Sequence, residues 1–158
     1  MLEGAAAGAC LADLAATHAE IRARMLAWLE AVVSGDAAAA HARFSAFEGL
    51  LLAHAAMEEE HLLPLFTARR LESLGCSAAI LRADHAKIRR RLQEARALLP
   101  PDEAPWPPAA RLGLVMSCHG LSELLEHHDQ RERAGLFPAL DAALAPAPKK
   151  FGISSGSA

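Results

Sequence analysis

Tyrosine is absent from this chain, and aromatic residues make up only 4% of its 158 positions. That poverty argues against a strand-rich fold, which draws on aromatic and β-branched residues. Cysteine is scarce too: Cys10, Cys76 and Cys118 are odd in number and form no CxxC. They exclude a disulfide framework and a zinc knuckle and read as reduced, buried thiols. No apolar run reaches the roughly 20 residues of a membrane span, and Met1 to Cys10 has no basic cluster of the kind that opens a signal peptide. The expected location is therefore cytoplasmic. With a formal charge of -3 and no long basic stripe, neither nucleic acid nor membrane is an implied partner.

What the chain has in abundance is alanine and helical periodicity. Leu11, Leu14, Ile21, Met25, Leu29 and Val32 recur at three-, four- and seven-residue steps, which is the pattern of an amphipathic helix. Ser34-Gly35-Asp36 stops it, and Asp36 can cap a second helix through Phe44, Phe47, Leu51 and His54. Pro64 lacks the N–H a helix needs, which predicts a kink or restart there, a continuation to about Leu74, and closure at Gly75. Ser77 caps a third helix that ends before Pro100-Pro101. Five prolines around Trp106, from Pro100 to Pro108, form an extended connection. A fourth helix runs from about Ala109 to Ala134, broken by Pro138. The expected organisation is an N-terminal extension (1–10), an all-α, antiparallel up-down four-helix bundle (11–144) and a disordered tail (145–158).

The chain writes one pattern twice. His54, Glu58 and Pro64 are spaced four and six residues apart, and His128, Glu132 and Pro138 repeat the spacing. Upstream, His18-Ala-Glu-Ile-Arg-Ala-Arg-Met25 matches His85-Ala-Lys-Ile-Arg-Arg-Arg-Leu92. Two superposable helical hairpins related by a pseudo-twofold axis follow from this duplication. Residues four apart share a helix face, so each copy presents an imidazole beside a carboxylate. A pseudo-twofold points both pairs inward, where His18 and His85 complete a set of four imidazoles and two carboxylates, the kind of set that holds two metals in a bundle core. If Glu58 and Glu132 each bridge both metals and a solvent-derived group adds another bridge, each six-coordinate ion keeps about one position open. Such a site has surplus positive charge and attracts small diatomic or anionic ligands. Imidazole suits iron, zinc, copper or nickel better than magnesium or calcium.

The ordered set His18-x-x-Ile, His54-x-x-x-Glu58, His85-x-x-Ile and His128-x-x-x-Glu132, with Leu-Leu-Pro64 and Leu-Phe-Pro138, resembles the hemerythrin-like HHE cation-binding family over about Leu11 to Leu144. The resemblance implies a four-helix bundle around two non-haem iron ions, oxo- or hydroxo-bridged, with zinc or manganese as less favoured occupants. It also implies binding of oxygen, nitric oxide or related species such as peroxide. The oxygen-carrying members resemble a five-histidine site; here Arg89 stands where the second histidine of the third helix would be, and Glu132 follows His128 by four residues. The set therefore resembles the bacterial proteins of sensing, stress defence or iron handling more than bulk oxygen carriers. The sequence shows no separate general acid or nucleophile, so any turnover of nitric oxide or peroxide would belong to the metals.

Four other residues stand near the pattern. His61 lies seven residues after His54 and is a candidate extra ligand; His127 adjoins His128 and differs from it by about 100° of helix rotation. Arg22 and Arg89 each follow a histidine by four residues, where they can hold an anion or pair with Glu58 or Glu132. His41 and His119 fall off the ligand face. The competing reading is a metal-free or zinc-bound helical module that works by binding a protein partner, favoured only by the tail with Lys149 and Lys150.

Overall fold

A computed structural model describes residues 3–101 and 106–145, with side chains from residue 14 onward apart from that of Ala15. Four helical rods run up and down. The first is α1 (Glu3–Ser34). The second is α2 (Ala37–Met57), a π-helical turn π1 (Glu58–Leu62) and α3 (Leu63–Ala68). The third is α4 (Ala78–Leu98). The fourth repeats the second: α5 (Pro108–Arg131), π2 (Glu132–Leu136) and α6 (Phe137–Leu144). The only extended pairing among the described residues is an isolated bridge between Ser73 and Cys76. The architecture is the expected all-α bundle.

Local chemistry sets the rod ends. Gly35 takes φ +78° and closes α1 by donating its N–H to the Ala31 carbonyl at 3.1 Å, a left-handed position that glycine occupies at low cost. Asp36 then accepts from the Ala39 N–H at 2.9 Å, and Ser77 accepts from the Ile80 N–H at 3.3 Å, both as helix caps. Trp106 tucks into the core and its indole N–H donates to the Pro101 carbonyl at 3.3 Å, which pins the proline-rich connection to the bundle.

Three boundaries depart from expectation. Helix α1 begins at Glu3, well before the apolar period becomes visible, because an alanine-rich stretch can be helical without an amphipathic pattern. Helix α3 ends at Ala68, where Arg70 turns to φ 55°, short of the expected Leu74. Pro64 and Pro138 do not break their rods. Each sits just after a π turn, in which the Leu63 N–H reaches back five residues to the Glu58 carbonyl and the Phe137 N–H to that of Glu132. The extra residue in the turn absorbs the N–H that proline lacks, so the helix stays continuous. The expected disordered tail, beyond Ala145, lies outside the described residues.

The core has two apolar parts. One gathers Ile21, Met25 and Trp28 with Phe44, Phe47, Leu92 and Leu121. The other gathers Leu14, Leu63, Phe66, Leu81, Leu136 and Leu140. Each rod passes from one part to the other, and at the crossing it carries His18, His54 with Glu58, His85, or His128 with Glu132. A polar layer thus lies between two hydrophobic ones, shielded by both.

Candidate metal centre

Sequence spacing places these six side chains on inward faces; tertiary packing brings their tips together. They form two groups, His18, His54, Glu58 and Glu132 in one, and His85, His128, Glu58 and Glu132 in the other, with the ligand atoms of each group within 4.8 Å of one another. Both carboxylates belong to both groups and divide their oxygens between them. Glu58 Oε1 lies 3.2 Å from His54 Nε2 and its Oε2 3.2 Å from His85 Nε2. Glu132 Oε2 lies 3.1 Å from His18 Nε2 and its Oε1 2.8 Å from His128 Nε2. The His18 and His54 Nε2 atoms are 2.8 Å apart, and those of His85 and His128 are 3.2 Å apart.

The contacts of the two carboxylates are not ordinary hydrogen bonds. All four carboxylate oxygens of Glu58 and Glu132 are buried and accept none at a good angle, although imidazole nitrogens stand close by. Atoms that converge on shared points, rather than donors aimed at acceptors, are what ligands around a cation look like. Two fully buried carboxylates so near each other need positive charge beside them. The donor set therefore fits metal binding, and both carboxylates belong to both groups.

Two of the imidazoles are oriented from behind. His18 Nδ1 donates to Asp129 Oδ1 at 2.5 Å, and His85 Nδ1 donates to Glu59 Oε1 at 2.9 Å. With the proton on Nδ1, each ring turns an Nε2 lone pair to the centre, the tautomer a metal ligand needs. Arg22 holds Asp129 Oδ2 at 2.5 Å, Arg133 holds its Oδ1 at 2.7 Å, and Arg89 holds Glu59 Oε2 at 2.9 Å. Arg22 and Arg89 thus pair with these backing acids and not with Glu58 or Glu132.

The electrostatics follow the same layout. Burial opposes charge on Glu58, but the imidazoles of His54 and His85 hold its carboxyl well below the usual carboxylate range. Burial likewise works against protonated His18 and His85; Glu132 with Asp129 overcomes it at His18, and Glu58 with Glu59 at His85, so both imidazoles are raised above their ordinary value. Asp129 is lowered against burial by Arg133, His18 and Arg22, and Glu59 by Arg89 and His85.

His61 and His127 stand apart from both groups. The widened π1 turn spoils the seven-residue step from His54, and His61 ends up 69% exposed beside Glu60. His127 is exposed and lines a surface cleft with Cys76, Arg131 and Gly135. His41 binds the Pro100 carbonyl and His119 is exposed beside Glu123. Asp129 and Glu59 are the residues that sequence reasoning missed: Asp129 follows His128 and looks like a surface acid, and Glu59 is hidden in the run Glu58-Glu59-Glu60. Only the Arg22 and Arg89 repeat hinted that acids should face them.

A model of the hemerythrin HHE cation binding domain matches residues 9–140. The chain belongs to this family. No curated protein and no solved structure matches it significantly. Within this cation-binding bundle, a cavity of about 60 Å³ reaches the centre between α1, α2 and α5. Ile21, Met25, Leu51 and Leu125 make its apolar wall, and His18, His54 and His128 its inner end, with Arg22 and Asp129 alongside. That is room for a few water-sized molecules and not for an organic substrate. Among the described residues no helix is long and apolar enough to cross a membrane.

Proposed function

We propose that this protein is a non-haem di-iron protein that binds a diatomic or similarly small ligand, oxygen, nitric oxide or peroxide, for sensing, stress defence or iron handling rather than bulk oxygen carriage. The observation that carries the reading is the division of each buried carboxylate between two imidazole pairs. His18 and His54 would hold one ion, His85 and His128 the other, and Glu58 and Glu132 would bridge them. When bound, such a pair supplies reversible electron transfer and sites for small ligands with lone pairs. The chain's own part is to hold the imidazoles of His18 and His85 in the metal-accepting tautomer, to keep bulk water out with two apolar layers, and to admit only small molecules past Ile21, Met25, Leu51 and Leu125. Four imidazoles with two carboxylates favour iron over magnesium or calcium and leave a net positive centre that attracts anions.

Elemental analysis of protein made in iron-replete cells, with optical spectra before and after oxygen and nitric oxide, tests the reading. Two irons per chain and ligand-dependent charge-transfer bands are expected. Protein without stoichiometric iron, or with zinc that resists exchange, would sink it. The alternative, a helical module for protein partners that has no need of metal, predicts an unchanged melting temperature after chelation; the six buried, mutually facing ligand groups speak against it.

A further inference from the structure

The two halves of the centre match in their inner residues and differ in what stands behind them. Position by position, the repeat pairs Thr17 with Asp84, Ala55 with Asp129, and Glu59 with Arg133. Each backing acid is therefore specific to one half. Asp129 backs His18, while its repeat counterpart is Ala55. On the other half, Glu59 backs His85, and a second acid is present. Asp84 lies with its Oδ2 3.9 Å from His128 Nδ1, a ring nitrogen that is buried and has no hydrogen-bond partner. That distance is too long for a hydrogen bond but short for a charge in a dry interior.

Asp84 is also the least exposed of the three acids, at 3% against 13% for Asp129 and 27% for Glu59. Arg131 and Lys87 hold it, as Arg22 and Arg133 hold Asp129 and Arg89 holds Glu59. Those cations are between about two-fifths and three-fifths exposed, so water screens them more than it screens the buried acids. The oxygens differ as well. His18 shares Asp129 Oδ1 with Arg133, whereas His85 has Glu59 Oε1 to itself. Buried anions behind an imidazole make it a stronger donor to a metal.

We propose that Asp84 is a positioning residue for His128, and that it makes the two metal positions unequal, with the His85–His128 position tight and the His18–His54 position weak. The inference rests on the metal-binding reading above and adds an order of filling to it. A centre that fills in two steps keeps its His85–His128 ion when metal is scarce and exchanges its His18–His54 ion first.

Titration of the metal-free, full-length protein with Co(II), followed by visible absorption, tests this. Two steps are expected, with affinities at least about tenfold apart. Asp84→Asn keeps the shape and the acceptor for Arg131 but removes the charge; it should weaken the tight step by about tenfold and shift the absorption band of that step alone. His54→Ala should abolish the weak step, which assigns it. Circular dichroism of Asp84→Asn should match the wild type. Two equal steps in the wild type, or a change in Asp84→Asn that falls on both steps or on neither, would overturn the proposal and leave the metal reading standing. Failure of the wild type to bind cobalt would overturn both.

Discussion

Because Glu132 divides its oxygens between the two groups, Glu132→Gln should weaken both metal positions, while His18→Ala should weaken only one. The magnitudes follow from linkage. At 100 times the tighter position's dissociation constant that position stabilises the folded state by about 2.7 kcal/mol, and one about tenfold weaker adds about 1.4 kcal/mol, so the two together give about 4 kcal/mol. At about 2–4 °C per kcal/mol for a domain of this size, the metal-loaded protein should melt on the order of 8–16 °C above the chelated one. Glu132→Gln would take the negative charge from both positions and leave an oxygen for only one of them. If both affinities fall by 10–100-fold, the loss common even for an outer-sphere partner, the gain at the same free metal drops to about 0.4–1.4 kcal/mol for the tighter position and to about 0.4 kcal/mol or less for the weaker one. The total then falls below about 3 kcal/mol. In His18→Ala the His85–His128 position should keep its full share of roughly 2.7 kcal/mol. Differential scanning calorimetry at fixed free metal, with metal counted on the same samples, reads both numbers. A Glu132→Gln protein that keeps one ion at wild-type affinity would refute the bridging role, and a His18→Ala protein that loses both ions equally would refute the division into two groups.

Proton and metal compete for His18 and His85, whose metal-free imidazoles are raised above 6.5 against burial by Glu132 and Asp129 and by Glu58 and Glu59 respectively. Metal binding should therefore release protons and tighten as pH rises from 6 to 8. The metal-free protein should behave oppositely: a raised folded-state value contributes stability that is complete below the unfolded value of 6.5 and is lost as pH rises through the folded value. Parallel melts with and without chelator should thus move in opposite directions between pH 6 and 8, and a shared direction would contradict these assignments. A Cβ at Gly135 would lie 2.5 Å from Cys76 Cβ and 2.8 Å from its Sγ, so Gly135→Ala should cost about 1–3 kcal/mol. Cys76→Ala, which keeps its own Cβ, should restore little of that; full stability of the single variant in urea would show that the loop yields freely. His61→Ala and His127→Ala should leave the iron count at the wild-type value, and a drop in either would return that histidine to the centre.

Much of the fold was legible because it rests on local rules. The apolar steps of Leu14, Ile21 and Met25, the caps at Asp36 and Ser77 and the stop at Gly35 act within one or two turns of helix, so a reader of the chain meets them intact. The π turns were not legible. Pro64 and Pro138 announce a disturbance, but whether a helix breaks or widens depends on whether the residues on either side of the proline, Leu63 and Phe66 in one rod and Leu136 and Leu140 in the other, have a core to return to. The misplacement of His61 has the same source, since its seven-residue step assumes an unwidened helix.

The sequence by itself determined the inner six: a four-residue step fixes His54 with Glu58 and His128 with Glu132 on one face whatever the rest of the chain does, and the duplication supplies their opposite number. Tertiary structure alone decided which acid stands behind which ring. Asp129 reaches His18 across 111 residues and Glu59 reaches His85 across 26, and no periodicity within a single helix encodes contacts between rods. The pseudo-twofold copies the ligands because both hairpins inherit them, whereas Asp84, Asp129 and Glu59 have no counterparts of their own kind. The resemblance between the two halves was written in the chain; their difference emerges only when the helices pack.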